Sequence, residues 1–283
     1  MGNTTCNCSQ DSPQLVAKER EHCRADAGQE QRSTFNLYIG GTIPDFAVST
    51  TKGDFALHDW LKGDGSCPWT ALLTNPRRSI DSTDEMLEAH LHSERFRKIR
   101  TKILGISCSA LEDEKQWAQT MLEQAGSEEQ EFSFPVIADA DGSICKTLGM
   151  LAPSDTEDGS FPLLSRCCVI LFGKTVRLTT LYPANIARSF DEIFRVIASL
   201  QLTQNKGLAT PVNWKVGERV IVGPGMSMED AEANYDELKV EKLPSGKDYL
   251  RSVACPAVTH VSTVNSLDKT RTFDNGRMGS KVR

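Results

Sequence analysis

No part of this 283-residue sequence approaches the ~18 consecutive apolar residues that a membrane-spanning helix needs. Basic residues are not in excess either, because 38 acidic side chains outnumber 32 basic ones and give a net charge of −6. A dedicated nucleic-acid-binding protein is normally basic, so we expect no nucleic acid among the partners. The first residues lack the apolar core of a secretory signal, which predicts a reducing compartment and no disulfide framework.

Cysteine-pair motifs are also absent, although cysteine itself is abundant. None of the nine cysteines has C-x-x-C spacing, and the five histidines do not group with them at metal-ligand spacing. We therefore predict no structural zinc site and no other cofactor. A high cysteine count without a disulfide or metal pattern points instead to individual thiols with separate roles.

The central part of the chain alternates apolar strand-like runs with helical stretches, whereas both ends are polar. Short runs such as 69–74, 103–108 and 167–172 are typical of buried strands, and strands alternating with helices favour an α/β fold. A smaller module with several prolines and short Val/Ile runs follows the last long helix. We predict four segments, which are a disordered N-terminal tail at 1–37, an α/β core at 38–203, a C-terminal module at 204–252 and a disordered basic tail at 253–283.

Several long strings of the sequence carry a family resemblance. They are NPRR at 75–78, LGML at 148–151, RCCVILFG at 166–173, LYPA at 181–184, RSFDEI at 188–193, LQLT at 200–203, ATPVNW at 209–214 and KLPSGK at 242–247. In order and spacing, residues 38–252 strongly resemble a one-cysteine peroxiredoxin of the peroxiredoxin-six type. The resemblance implies a thioredoxin-like core, a C-terminal dimerisation module and a homodimer.

The position of the reactive cysteine is where this sequence departs from that family. The motif of this site in the family is Pro-x-x-x-Thr-x-x-Cys, and the thiolate of its cysteine attacks the peroxide O–O bond. Counted forward from Pro76, which matches the proline, Ile80 takes the threonine position and Thr83 the cysteine position. Counted back from Glu85, Ser82 takes the cysteine position instead. No cysteine lies between Cys67 and Cys108. Because a hydroxyl has no sulfenic state, we expect ordinary peroxidase activity to be absent.

Two other residues bear on the same site. Arg166 matches the arginine that faces the thiolate in the family, so it implies a vestigial anion pocket with Pro76, or else an arginine that pairs with a local carboxylate. Cys108 ends a predicted strand, and the carboxyl ends of strands border the functional crevice in open α/β sheets. Cys108 is therefore our candidate for a displaced reactive thiol.

The resembled subfamily also carries a phospholipase-like Ser/His/Asp set, of which this sequence keeps only part. His58 fits the histidine, Ser66 stands in a string that lacks the second glycine of Gly-x-Ser-x-Gly, and Ala152 occupies the aspartate position. Without the acid that orients the histidine, we expect no working triad and a structural role for His58.

The extreme N-terminus predicts a lipid anchor. Gly2 is followed by small polar residues, as in N-myristoylation sites, although Cys6 stands at the usual Ser/Thr position. Cys6 and Cys8 lie close to that site and are suited to palmitoylation. One myristoyl chain binds a membrane only marginally, whereas a second acyl chain makes the anchor stable. The alternative is an unmodified tail with incidental cysteines.

Together these features favour a peroxiredoxin-like protein without ordinary peroxidase activity, held at the cytosolic face of a membrane and serving as a binding or structural homodimer. The protein partner stays unidentified. The alternative function is a thiol-dependent peroxidase that reduces hydroperoxides with a displaced cysteine, of which Cys108 is the first choice.

Overall fold

The computed structural model describes residues 37–76, 82–151, 164–183, 185–242, 244 and 250–256. The strands are β1 (Ala47–Thr50), β2 (Gly53–Ala56), β3 (Trp69–Thr74), β4 (Thr101–Ser107), β5 (Val136–Ala138), β6 (Arg166–Phe172), β7 (Thr175–Tyr182), β8 (Leu208–Ala209), β9 (Val220–Val222), β10 (Lys239–Val240) and β11 (Arg251–Val253). The helices are α1 (Leu57–Lys62), α2 (Ser82–Leu91), α3 (Ser93–Lys98), α4 (Leu111–Gln124), α5 (Ser143–Thr147), α6 (Phe190–Lys206) and α7 (Met228–Asn234).

Seven strands form one mixed sheet in the order β2-β1-β5-β4-β3-β6-β7. Strands β3, β4 and β5 are parallel, whereas β6 and β7 join antiparallel through the turn at Gly173 and Lys174. All six residues of β3 are buried, as expected for a central strand that is covered on both faces. The hairpin of β1 and β2 and the strand at 69–74 agree with the sequence pattern.

Helices cover both faces of this sheet and produce two hydrophobic cores. The first core packs α2, α3, α4 and α6 against one face and contains Met86, Phe96, Leu122, Cys168 and Ile197. The second core packs α1 and α5 against the other face and contains Leu61, Leu104, Cys145, Leu148 and Cys167. Successive residues of a strand point to opposite faces, which is why the neighbours Cys167 and Cys168 belong to different cores.

The approximate 3.6-residue spacing of apolar residues predicts one helix from Ser82 to about Arg100, but the structure has two, α2 and α3, with His92 between them. The His92 ring packs against the rings of Phe190 and Phe194 in α6, and its Nε2 lies 2.9 Å from a Glu88 carboxylate oxygen. Arg100 then takes a positive φ of 53° as the chain turns into β4. Contacts with a distant helix fix this break, so the local sequence pattern does not reveal it.

A second, four-stranded sheet in the order β10-β11-β9-β8 forms the C-terminal module. Its core surrounds Trp214, which is fully buried and donates its indole N–H to the Glu218 carbonyl at 3.0 Å. Ala198 and Leu202 of α6 pack into the same core. Helix α6 ends at Lys206 because Gly207 takes the left-handed conformation that commonly closes a helix. The amphipathic pattern of the sequence predicts a helix over 190–202, and the observed helix continues beyond it to Lys206.

No helix within the described ranges is both long and apolar enough to cross a membrane. The predicted acylation residues Gly2, Cys6 and Cys8 lie outside the described residues, as do most of both predicted tails.

Candidate functional site

The site that the sequence indicates lies at the carboxyl end of β3. Asn75 follows the strand directly and donates its backbone N–H to the Ile106 carbonyl at 2.8 Å, which extends the pairing of β3 with β4 by one residue. Pro76 comes next, and the following described element, α2, begins with Ser82 and Thr83. Both candidate positions for the missing thiol therefore stand at a helix N-terminus, where the helix dipole stabilises an anion.

A buried ion-pair cluster, which we call the Glu85 cluster, joins Glu85, Arg166 and Arg188 beside this helix start. The Glu85 carboxylate lies 2.5 Å from Arg166 Nη1 and 3.0 Å from Arg188 Nη2, and it also accepts the backbone N–H of Arg188 at 2.5 Å. The exposed fractions are 5%, 0% and 7%, so water does not screen these charges. Because one carboxylate faces two guanidiniums, the cluster carries one net positive charge. The pairing of Arg166 with a local carboxylate is one of the two roles that the sequence allowed.

Arg188 also ties the cluster to the sheet. Its Nη1 donates to the Cys167 carbonyl and its Nη2 to the Thr74 carbonyl, both at 2.7 Å. The guanidinium therefore bridges the end of β3 and the start of β6, while Glu85 holds it to α2. Sequence reasoning missed both Glu85 as the partner and Arg188 as a member, because these two residues lie 103 positions apart.

The two cysteines of β6, which lie beside the Glu85 cluster, are unsuited to peroxide chemistry. Cys168 shares a face of β6 with Arg166, since the two are two residues apart along the strand. Burial raises the pKa of Cys168 to about 12, despite an opposing effect of Arg188. Burial and the neighbouring Cys168 likewise raise the pKa of Cys167 to about 12. Both groups are thiols at neutral pH and serve as small core side chains.

Asn75 is a second residue of this site that sequence reasoning missed. Its side chain is 1% exposed, and neither its amide nitrogen nor its amide oxygen has a hydrogen-bond partner in the structure's described part. An unpaired buried polar group costs about 1–3 kcal/mol, so such a residue calls for a role beyond packing. The Asn-Pro pair indicated only a chain turn in the sequence.

Cys108 lies on the other side of the sheet. It directly follows β4 and packs against the second core, whereas the Glu85 cluster lies with Met86 and Cys168 on the face of the first core. Cys108 and the Glu85 cluster thus lie on opposite faces of the sheet. The structure brings Cys108 instead to Cys145 and Asp139, whose ligand atoms and the Cys108 sulfur all lie within 4.8 Å of one another.

The residues of the phospholipase-like set are engaged elsewhere. His58 Nε2 lies 2.7 Å from the Ile43 carbonyl, and its Nδ1 faces the Asp45 carboxylate at 3.9 Å. Hydrogen bonds from Ser66 hold the pKa of Asp64 below its usual range. His58 is the second residue of α1, which directly follows β2. Ala152 lies outside the described residues.

Comparison with known proteins agrees with this architecture. The AhpC/TSA family model matches residues 39–172, and the model of the C-terminal domain of 1-Cys peroxiredoxin matches residues 199–238. Peroxiredoxin-6 from Mus musculus is 38% identical over 225 residues, which are 78% of this chain and 98% of that protein. The 1-Cys peroxiredoxin of Onchocerca volvulus is 36% identical and covers 77% of this chain and 97% of its own.

Two solved structures extend the likeness to three dimensions. A cysteine-to-serine mutant of the peroxiredoxin 6 of Arenicola marina has a TM-score of 0.71 at 35% identity, and the match covers 78% of this chain and 99% of that one. The yeast mitochondrial 1-Cys peroxiredoxin, solved in a study of its thiol resolving mechanism, has a TM-score of 0.65 at 27% identity over 77% of this chain and 99% of its own.

Proposed function

Since the chain belongs to the 1-Cys peroxiredoxin family and has the predicted thioredoxin-like core and C-terminal domain, we propose that it is a member in which the site at the start of α2, beside the Glu85 cluster, does not reduce hydroperoxides. In this proposal the protein serves as a binding or structural homodimer, and acyl chains on its N-terminus hold it at the cytosolic face of a membrane.

One observation carries the first part of this proposal. The helix start beside the Glu85 cluster holds Ser82 and Thr83, whose hydroxyls neither ionise near neutral pH nor form a sulfenic acid. The helix dipole contributes only ~0.3–1 kcal/mol to an anion, which cannot make a hydroxyl nucleophilic. Cys168, which lies near the cluster, stays protonated because burial raises its pKa to about 12.

Hydroperoxide consumption by the purified full chain, with a dithiol as reductant, tests this part. We expect no turnover that depends on the hydroxyls at the start of α2, so Ser82→Ala and Thr83→Ala should leave the rate equal to that of the wild-type chain. A catalytic rate that either substitution abolishes would contradict the proposal, because it would assign chemistry to a hydroxyl.

The second candidate function is thiol-dependent hydroperoxide reduction by Cys108. What favours it is the position of Cys108 at the carboxyl edge of parallel strands, beside a second cysteine. Sustained turnover that Cys108→Ser abolishes would establish this candidate in place of an inactive protein. The same assay therefore separates the two functions.

Membrane attachment rests on Gly2, Cys6 and Cys8. We expect the wild-type chain, expressed in a eukaryotic cell, to sediment largely with membranes and Gly2→Ala to become mostly soluble, because palmitoylation of Cys6 and Cys8 needs prior capture at a membrane. A Cys6→Ser, Cys8→Ser double variant should partition in between, since a single myristoyl chain binds with only about 10⁴ M⁻¹. Cys255→Ser is the matched control and should behave as wild type; equal partition of wild type and Gly2→Ala would contradict the anchor.

The homodimer rests on the family and on one apolar feature of the surface. Strand β7 is an edge of the seven-stranded sheet, and Leu181 near its end is 55% exposed, followed by Ile186 at 48%. The start of β7 already exchanges hydrogen bonds with residues 40 and 41, so its far end offers a second copy the buriable area of these exposed apolar side chains. The mass of the full chain in solution measures this association directly.

A further inference from the structure

The ends of β4 and β5 bring three chemically reactive side chains together on the second-core face. The two strands are parallel, with Ser107 opposite Ala138, and the Asp139 N–H donates to the Ser107 carbonyl at 2.8 Å. Cys108 and Asp139 are therefore neighbours where the strands end. Helix α5 then returns Cys145 to the same place, so that the two sulfurs and a carboxylate oxygen lie within 4.8 Å of one another.

The Asp139 carboxylate accepts hydrogen bonds from the backbone at the start of α5. One carboxylate oxygen accepts the Cys145 N–H at 2.8 Å, and the other accepts the Ile144 N–H at 3.1 Å. This capping fixes the position of Cys145 next to Cys108. A structural zinc site usually takes four protein ligands, and the described residues bring only these three together, one of them already occupied by backbone donors. The two thiols are then the groups left to react.

We propose that Cys108 and Cys145 form a reversible intramolecular disulfide when a hydroperoxide oxidises Cys108. The Cys108 thiolate attacks the O–O bond, takes one oxygen as sulfenic acid and releases an alcohol, or water in the case of hydrogen peroxide. The Cys145 sulfur then attacks the Cys108 sulfur, and the departing hydroxide takes the Cys145 proton as water. Two thiols thereby lose two electrons and two protons to one hydroperoxide, and an external thiol reverses the bond.

The surroundings of the two cysteines assign these separate roles. Cys108 is partly exposed and meets the oxidant, whereas Cys145 is fully buried beside it. The hydrogen bond with Cys108, burial and the nearby Asp139 carboxylate raise the pKa of Cys145, so Cys145 holds its proton. Once Cys108 is a sulfenic acid, Cys145 is the thiol that lies beside it and attacks its sulfur.

The inference goes beyond the proposed function and stands without it. One equivalent of hydroperoxide suffices to form the disulfide, whether or not any reductant sustains turnover. The pair also lies across the sheet from the Glu85 cluster, so it does not depend on Ser82, Thr83 or Arg166.

The test is to treat the reduced full chain with one equivalent of hydrogen peroxide, block the remaining thiols and map the peptides without reduction. We expect a linked pair of peptides containing Cys108 and Cys145, with the loss of two hydrogens, and its disappearance after dithiothreitol. Linkage of Cys108 to any other cysteine, or direct conversion of Cys108 to sulfinic acid, would overturn the proposal.

Variants separate the two steps. In Cys145→Ala the first step still occurs, so labelling of Cys108 by dimedone, which traps sulfenic acids, should rise several-fold over wild type. In Cys108→Ser, Cys145 should stay reduced. Cys67→Ser removes another partly exposed cysteine, which does not belong to this pair, and should leave the linkage intact. Equal dimedone labelling of wild type and Cys145→Ala, or stoichiometric zinc in the isolated protein that Cys145→Ala releases, would contradict the assignment. If Cys145→Ala does not fold, the wild-type peptide map alone decides.

Discussion

Replacing Glu85 by glutamine is expected to lower the free energy of unfolding by about 3–5 kcal/mol, because it leaves two buried guanidiniums without their carboxylate. Arg166 and Arg188 are 0% and 7% exposed, so neither can recover its hydration without opening the structure. Glutamine keeps the size and shape of the side chain, and the effect therefore reports the lost charge rather than a cavity. Urea unfolding of the full chain, followed by circular dichroism, measures it.

The matched control is Glu94→Gln. Glu94 also pairs with an arginine, Arg97, through two hydrogen bonds of 2.8 Å, but both side chains are more than half exposed. An exposed pair of this kind contributes little to stability, because solvent screens its charges. Comparable losses in Glu85→Gln and Glu94→Gln would mean that the Glu85 cluster does not hold the fold together.

Returning a cysteine to the start of α2 is expected to create a reactive thiol where the wild type has none. We expect Ser82→Cys to consume hydrogen peroxide in a single turnover at a rate far above that of a free thiol with its pKa of ~8.5. The helix N-terminus and the net positive charge of the Glu85 cluster both favour a thiolate at this place. Stopped-flow fluorescence or peroxide depletion, together with the pH dependence of the rate, measures the gain.

The same experiment decides between the two alignments of the missing residue. Positions 82 and 85 are three apart on one helix, so they share a face, whereas position 83 is turned by ~100°. We therefore expect Ser82→Cys to exceed Thr83→Cys, even when the latter is combined with Ile80→Thr to complete the family motif. A larger gain in the Ile80→Thr, Thr83→Cys chain would assign the slot to Thr83.

The control for the helix dipole is Ser227→Cys, which places a cysteine at the exposed N-cap of α7, far along the chain from the Glu85 cluster. It should react as an ordinary surface thiol. If neither Ser82→Cys nor Thr83→Cys reacts faster than Ser227→Cys, the pocket has lost more than its cysteine, and the arginines alone do not activate a thiol here.

The strands and most helices of this fold could be predicted from sequence because their apolar periodicity is local. Strand β3 is a mostly apolar run, and the turn residues Gly173 and Lys174 separate β6 from β7. The break at His92 was not predictable, because the rings that hold it belong to α6.

From the sequence alone, the main prediction about the site was that it has no cysteine. Pro76 and Arg166 could be placed by resemblance, but the pairing of Glu85 with Arg188 spans 103 residues and depends on how α2 packs. The proximity of Cys108 to Cys145 follows from the register of β4 on β5, in which a shift by one residue would turn the side chains to the opposite face. Neither the packing of α2 nor the register of β4 on β5 can be inferred from the spacing of the cysteines in the chain.

The way Arg188 is bonded has a consequence for how such chains are classified. Its guanidinium holds the Thr74 and Cys167 carbonyls as well as Glu85, so it joins two strands and a helix whether or not a thiol is present. Both arginines and the glutamate are thus part of the folded structure independently of any thiol. Their presence in a chain reflects a packing constraint and does not by itself identify a peroxidase.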